Sequence, residues 1–205
     1  MKLVTLLAKV NNDKCIGCQT CAKVCPTLAI NMENRKAVIN ADMCRACGNC
    51  EQRCPVYAIE LVKREEPLKV SVSLEGLDMK KVDELCRKAN FNPEQILCYC
   101  TETRAQEVAA AILKGSHTPE TISLETGIRT GCSVECIQPV LRMLKAAGIT
   151  PERPDGYQWY GLTPTLWDIP EETKEKYSKS GFYFDGDIKL LEELANAKTS
   201  EEEEI

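Results

Sequence analysis

Cysteine is the residue type in this chain that is best suited to chemistry, and its spacing is regular. The chain has 13 cysteines in 205 residues. Eight of them lie in two runs with the same spacing, CIGCQTCAKVCP at residues 15–26 and CRACGNCEQRCP at residues 44–55. Either a disulfide framework or ligation of metals or clusters explains so many cysteines. The odd count and the Cys-x-x-Cys spacing favour ligation, because a disulfide closing so short a loop removes little chain entropy.

The two runs belong to a longer internal repeat. A shift of 29 positions superimposes nine residues of one copy on identical residues of the other. The residues of the first copy are Asn11, Asp13, Cys15, Cys18, Cys21, Cys25, Pro26, Ala29 and Ile30. Their counterparts are Asn40, Asp42, Cys44, Cys47, Cys50, Cys54, Pro55, Ala58 and Ile59. Agreement of this extent indicates a duplicated unit.

The spacing within each copy suits an iron–sulfur cube. Three cysteines separated by two residues each can surround one cube, and the fourth then ligates the other cube. The pattern resembles the bacterial two-cluster ferredoxin over about residues 1–66. The resemblance implies one [4Fe-4S] cluster held by Cys15, Cys18, Cys21 and Cys54, and another held by Cys44, Cys47, Cys50 and Cys25. A pair of zinc sites is the alternative.

A second group of cysteines consists of CYC, with Cys98 and Cys100, and GCSVEC, with Cys132 and Cys136. With the helices predicted around it, this group resembles the [2Fe-2S] domain of bacterioferritin-associated ferredoxin over about residues 95–148. The resemblance implies that Cys98 and Cys100 hold one iron and that Cys132 and Cys136 hold the other. The family usually closes with Cys-x-x-Cys, whereas this chain has Cys-x-x-x-Cys. Zinc at these four cysteines and a redox-active thiol set are the alternatives.

Local signals predict the elements around the cysteines. In the first domain we expect terminal strands at KLVTLLAKV and IELVKRE, a hairpin from Met32 to Ile39 turning near Asn34, and a short helix after each Cys-Pro. Residues 67–97 read as a connector with one helix, in which Cys86 is a small core residue.

Three helices are expected in residues 98–148. A capping box at Thr103-Arg104-Ala105-Gln106 begins a helix to about Leu113 with Gly115 as its stop. Thr118 and Pro119 begin a second helix that ends near Gly127. A third runs from about Cys136 to Gly148. The expected fold class is α+β, with a ferredoxin-like two-cluster domain followed by a small helical [2Fe-2S] domain and an extended C-terminal arm.

Residues 149–205 are predicted to be this arm, which is rich in aromatic residues and proline, with a short helix at DIKLLEELANAK and an acidic end. The arm contains no expected metal ligand. It either packs on its own domains or docks a partner protein, since Tyr and Trp are favoured interface anchors.

Composition and charge narrow the functional classes. The net charge of −5 gives no electrostatic support for nucleic-acid binding. No secretory signal or transmembrane run is evident, which predicts a cytoplasmic protein. Motifs for flavin, nicotinamide or nucleotide binding are missing, and the lone histidine, His117, reads as a surface residue. Lys14, Lys23, Arg45 and Arg53 either form a solvated surface, or raise the cluster potential or dock an acidic partner.

The leading hypothesis is an iron–sulfur electron-transfer subunit without a catalytic site of its own. It would pass single electrons between a partner oxidoreductase subunit, a flavoprotein or a metal-containing protein, and another redox carrier. The alternative is a protein that delivers metal or an iron–sulfur cluster, or releases stored iron, with the ferredoxin domain supplying electrons. A third hypothesis is a redox sensor built on Cys98 and Cys100.

Overall fold

The architecture comes from a computed structural model that describes residues 2–132, 136–154 and 160–200. The strands are β1 (Lys2–Val10), β2 (Ile30–Glu33), β3 (Lys36–Ile39), β4 (Ile59–Val70), β5 (Ile96–Cys98) and β6 (Thr103–Arg104). The helices are α1 (Thr20–Lys23), α2 (Asn49–Gln52), α3 (Met79–Lys88), α4 (Ala105–Leu113), α5 (Pro119–Thr126), α6 (Ile137–Ala146), α7 (Glu171–Ser178) and α8 (Phe184–Ala195). A 3-10 turn spans Leu166–Asp168. None of the helices in the described ranges has the length and hydrophobicity that a bilayer crossing requires.

The two predicted terminal strands pair with each other. Strands β1 and β4 form an antiparallel sheet whose register runs from Val10 opposite Ile59 to Lys2 opposite Val70. A bulge between Val4 and Leu6 interrupts the ladder, which lets β4 accommodate Pro67 where no ladder bond is needed. Strand β4 continues to Val70, four residues past the predicted end of the first domain, and leads the chain directly to the second domain.

The sequence repeat is also a structural repeat. The side-chain oxygen of Asn11 accepts bonds from the N–H groups two and three residues later, at 3.0 and 3.3 Å, and Asn40 does the same at the same distances. The two copies are joined crosswise, because the Asn11 N–H donates to the Ala58 carbonyl at 2.7 Å and the Asn40 N–H to the Ala29 carbonyl at 2.8 Å. Each alanine lies four residues after the fourth cysteine of its copy, so each loop is held against the end of the other.

The predicted hairpin is confirmed, whereas the short helices were assigned to the wrong side of each Cys-Pro. Strands β2 and β3 pair across Asn34 and Arg35, which both have positive φ, as a type I′ turn requires. Helices α1 and α2 precede the Cys-Pro pairs and contain the third cysteine of each run. After each proline, a residue with positive φ turns the chain away, Leu28 in one copy and Tyr57 in the other.

The second domain has a core formed by α3, α4, α5 and α6. Val82, Val108 and Val140, from three different helices, are completely buried there. Cys86 is also completely buried in this core, which confirms its prediction as a core residue. Helix α3, which the sequence placed in the connector, therefore packs as part of the second domain's core.

Helix boundaries in the second domain follow the predicted signals with one shift. The cap of α4 is Arg104, whose N–H donates to the Glu107 carboxylate at 2.9 Å, and Thr103 lies in strand β6 instead. Thr118 caps α5 through the Thr121 N–H, and Gly127 ends it with a φ of +78°. Helix α6 begins directly after Cys136, as expected.

The C-terminal arm is less extended than predicted. Helix α8 confirms the predicted terminal helix, whereas α7 was missed. The arm returns to the second domain, where Gln138 Nε2 donates to the Gly161 carbonyl at 2.9 Å and Arg87 Nη1 to the Ala195 carbonyl at 3.0 Å. Between these attachments, Phe182 stacks on Phe184 at a centroid distance of 5.7 Å.

Gly17 and its counterpart in the repeat, Ala46, provide a matched test of the loop geometry. Both have positive φ, but a Cβ on Gly17 would lie 2.3 Å from the Arg35 carbonyl oxygen. We expect Gly17→Ala to destabilise the first domain by about 2–4 kcal/mol through this backbone clash. Ala46→Gly should change stability by less than about 1 kcal/mol. Urea unfolding of both variants would check this, and equal stabilities would contradict it.

Candidate iron–sulfur sites

Four predicted ligands from the two copies of the repeat line one largely enclosed cavity. Cys25, Cys44, Cys47 and Cys50 line this cavity, which is small, with a volume of about 20 Å³. Burial raises the pKa of Cys47 to about 11 and that of Cys50 to about 12. Because cluster ligands are thiolates, binding a cluster here would have to displace thiol protons. The cavity collects the set that crosswise ligation requires, three cysteines from one copy and one from the other.

The fourth cysteine of each run receives a backbone hydrogen bond. The Ala29 N–H donates to Cys25 Sγ at 3.2 Å, and the Ala58 N–H donates to Cys54 Sγ at the same distance. These are the alanines whose carbonyls join the two copies. N–H groups directed at sulfur stabilise thiolate and cluster charge, so this geometry fits iron–sulfur ligation.

The other predicted set is more open to solvent. Cys18 is exposed, and hydrogen bonds from Thr20 lower its pKa. Cys21 is buried, and this burial, together with the nearby Cys18 and Cys15 sulfurs, raises its pKa. Cys54 packs against the same core as Cys15 and Cys21. The structure thus places Cys15 and Cys18 near Cys21, with Cys18 at the surface, and Cys54 against the core that both sets share.

The second domain brings CYC and GCSVEC together. Cys98 and Cys136 are within hydrogen-bonding reach, which lowers the pKa of Cys98 and raises that of Cys136. A Cβ on Gly131 would lie 2.8 Å from Cys100 Sγ, so only glycine lets the backbone before Cys132 approach Cys100 this closely. The two motifs therefore contact each other at two places, Cys98 with Cys136 and Cys100 with Gly131. The division of the four cysteines between two irons stays a prediction.

Backbone donors surround the second site as well. The N–H groups of Thr101 and Arg129 face Cys98, and that of Arg129 also faces Cys136. Cys98 and Cys136 are buried, whereas Cys100 and Cys132 are exposed. Over residues 2–132, 136–154 and 160–200, no three His, Cys, Asp or Glu side chains converge closely enough for a single metal ion. Cysteine sulfurs that face backbone N–H donors fit iron–sulfur clusters, which supply one-electron oxidation and reduction when bound.

A seam joins the two domains beside these sites. Arg45, next to Cys44, donates from Nε and Nη2 to the Leu124 carbonyl at 3.0 and 2.7 Å. Lys2 Nζ forms an ion pair with Glu107 at 2.8 Å. Arg45 and Ala46 line both the four-cysteine cavity and a cleft of about 470 Å³ that Cys100 also lines.

Sequence reasoning identified the cysteines but missed the residues that arrange them. Arg45 was interpreted as a solvated or partner-docking charge, whereas its guanidinium holds the second domain. Arg129 was not singled out, although it is 1% exposed and its N–H faces two cysteines. Neither contact has a local signal, because both depend on residues distant in the chain. His117 is exposed, as predicted.

Comparisons with known protein families match two separate segments of the chain. Residues 7–55 match the family model described as a 4Fe-4S dicluster domain. Residues 96–146 match the model described as a BFD-like [2Fe-2S] binding domain. Searches of curated proteins and of solved structures gave no match. The chain therefore joins a 4Fe-4S dicluster domain to a BFD-like [2Fe-2S] binding domain.

Proposed function

We propose that this chain is an iron–sulfur electron-transfer subunit. It passes single electrons between a partner oxidoreductase subunit that contains a flavin or a metal and another redox carrier. The two [4Fe-4S] sites are Cys15, Cys18, Cys21 and Cys54, and Cys44, Cys47, Cys50 and Cys25. The [2Fe-2S] site is Cys98, Cys100, Cys132 and Cys136. The observation that carries the proposal is the seam, where residues beside one site face a cysteine of another.

The seam supports electron transfer between the two domains, because it holds one domain against the other beside the cysteines. The Arg45 guanidinium bonds to a carbonyl in the last turn of α5, where a cation also complements the helix dipole. The ion pair between Lys2 and Glu107 fixes the start of α4 to β1. Hydrogen bonds to charged groups contribute about 1.5–3 kcal/mol each, so the docked arrangement does not depend on apolar contact alone.

The described residues offer no separate catalytic group. Twelve of the 13 cysteines are assigned to clusters, and the remaining one, Cys86, is completely buried. Each site has a full set of four cysteines, which leaves no ligand position for a substrate. The substrate chemistry then belongs to the partner, and this chain provides the path for electrons.

The arm provides a surface for the partner. Its attachments through Gly161 and Ala195 hold it on the second domain, while Phe182 and Tyr183 between them are 54% and 74% exposed. Tyr177 packs edge-on to Phe182 at 6.2 Å, so the group is preorganised. Rigid, exposed aromatic side chains lose little entropy on binding and are favoured as interface anchors.

Cluster or iron delivery is the second candidate, and the exposure of Cys100 and Cys132 favours it. Exposed ligands allow an acceptor to reach the cluster iron directly. Mixing the full chain with an apo-ferredoxin distinguishes the two functions. A [2Fe-2S] centre that moves to the acceptor supports delivery, whereas one that stays bound through repeated reduction and oxidation supports electron transfer.

The cluster assignment predicts that replacing two buried cysteines, Cys98 and Cys86, has different effects on the iron content. Cys98→Ala should lower the iron content from about ten to about eight per chain, because one [2Fe-2S] centre is lost. Cys86→Ala is the matched control, since it also removes a buried sulfur but should keep all the iron. Anaerobic iron, sulfide and zinc analysis measures both. Unchanged iron in Cys98→Ala, or one zinc with about eight irons in the parent chain, would contradict the assignment.

The seam predicts that Arg45 controls exchange between the domains. Arg45→Ala removes both bonds to the Leu124 carbonyl, so the docked fraction falls and electron exchange should slow several-fold. Flash photoreduction, followed through the [2Fe-2S] absorbance, measures the rate. Arg53→Ala, which removes an exposed charge next to Cys54, is the control and should keep the parent rate. Equal rates in all three proteins would refute the role of the seam.

Docking through the arm predicts that removal of its exposed aromatic side chains weakens binding of the partner. Replacing Phe182 and Tyr183 together by serine should weaken co-purification with a flavin- or metal-containing redox protein, because the exposed anchors are gone. Tyr57→Ser removes an aromatic side chain of the first domain that is 83% exposed, and serves as the control. The absorbance of the retained partner is the readout. Full retention by the double variant would exclude docking through this surface.

A further inference from the structure

A buried ion pair lies behind the second cysteine site. Arg129 is the largest of the fully buried side chains, and its Nη1 lies 3.3 Å from Glu120 Oε1 and 3.4 Å from Ser123 Oγ. The two charged side chains are 2% and 4% exposed. Burying two charges is expensive unless they are paired and held by further hydrogen bonds. Neither residue belongs to the cysteine motifs, so the pair needs an explanation of its own.

The backbone of Arg129 has an unusual conformation for its residue type. Its φ is +68°, in the left-handed region where glycine is favoured. This conformation directs the Arg129 N–H at the sulfurs of Cys98 and Cys136. A glycine would adopt the same backbone without strain, so the arginine side chain must contribute something that glycine lacks. Its anchoring by Glu120 and Ser123 holds the backbone in place.

The C-terminal arm completes the arrangement. The hydroxyl of Tyr160 is buried beside Glu120 and Arg129, and burial, reinforced by the Glu120 carboxylate, raises its pKa. The residues that follow Tyr160 are fastened to the first turn of α6 by Gln138. Its side chain donates to the Gly161 carbonyl and accepts from the Thr163 N–H at 3.0 Å. That turn follows Cys136 directly.

We propose that Glu120, Arg129 and Tyr160 form a positioning unit that holds the Arg129 N–H on the Cys98 and Cys136 sulfurs and makes the arm part of the [2Fe-2S] site. The inference rests on the proposed [2Fe-2S] centre but not on electron exchange between the domains. The ion pair places opposite charges behind the centre. The arm keeps water away from the pair and fixes the helix that begins directly after Cys136.

The test measures the [2Fe-2S] centre in the full chain. Glu120→Gln keeps the side-chain shape but leaves the Arg129 charge uncompensated, and a positive charge favours the reduced centre. We expect the reduced-to-oxidised ratio at a fixed potential to rise about tenfold, which is about 59 mV for one electron. A redox titration followed by electron paramagnetic resonance gives this value. A potential equal to that of the parent would overturn the proposal.

A second variant tests the arm without changing a charge. Tyr160→Phe removes only the hydroxyl, and we expect the [2Fe-2S] centre to lose iron to a chelator several-fold faster than in the parent chain. Tyr177→Phe makes the same change elsewhere in the arm and should keep the parent rate. Equal rates for both variants would overturn the proposal even if Glu120→Gln fails to fold. A parent chain without a [2Fe-2S] signal would overturn it together with the cluster assignment, whereas slow exchange across the seam would count only against the electron-transfer function.

Discussion

Cluster ligation places one constraint on this chain that shapes both domains, since backbone N–H groups must point at the cysteine sulfurs. The chain meets it with residues of positive φ at fixed places. In the repeat they occupy equivalent positions, Gly17 and Ala46, Gln19 and Gly48, and Leu28 and Tyr57. Only two of these six residues are glycine, so the required geometry prevails over residue preference. In the second domain Glu102 and Arg129 have the same backbone conformation beside the cysteines.

The same constraint explains why the sites are built from distant segments. A run of closely spaced cysteines turns too tightly to surround a cluster alone. In the proposed assignment the fourth ligand of each cube therefore comes from the other copy, and two of the four ligands in the second domain come from a second motif. The crossed bonds of Asn11 and Asn40 fix the copies together, and Gly131 lets the second motif approach Cys100. Arg45 then extends this organisation between domains, because it lies beside a cysteine on one side of the seam and bonds to the other.

The sequence predicted features with local signals and missed those that depend on tertiary contact. Thr118, Pro119 and Gly127 marked both ends of α5, and Asn34 marked the hairpin turn, because capping and turn chemistry act within a few residues. The short helices were expected after each Cys-Pro, but a positive φ two residues past the proline excludes a helix there. The acidic first turn of α7 was an available signal that the proline-rich context obscured.

Contacts between residues that are separated in the sequence had no local sequence signal. Arg45 and Leu124 are 79 positions apart, and the interpretation of Arg45 as a surface charge followed from its local sequence alone. Glu120 and Arg129, nine positions apart, were not singled out, since nothing nearby indicates that both are buried. The cysteine spacing thus identifies the ligands, whereas the residues that position them and join the domains become visible only in the folded chain.

The central claim is that the [2Fe-2S] centre lies beside the cube assigned to Cys25, Cys44, Cys47 and Cys50. Electron spin relaxation of the reduced [2Fe-2S] centre tests it most directly, because a nearby paramagnetic cube shortens the relaxation time. We predict faster relaxation in the fully reduced chain than in a sample where only the [2Fe-2S] centre is reduced. Identical relaxation in the two samples would show that the centres are far apart and would contradict the account.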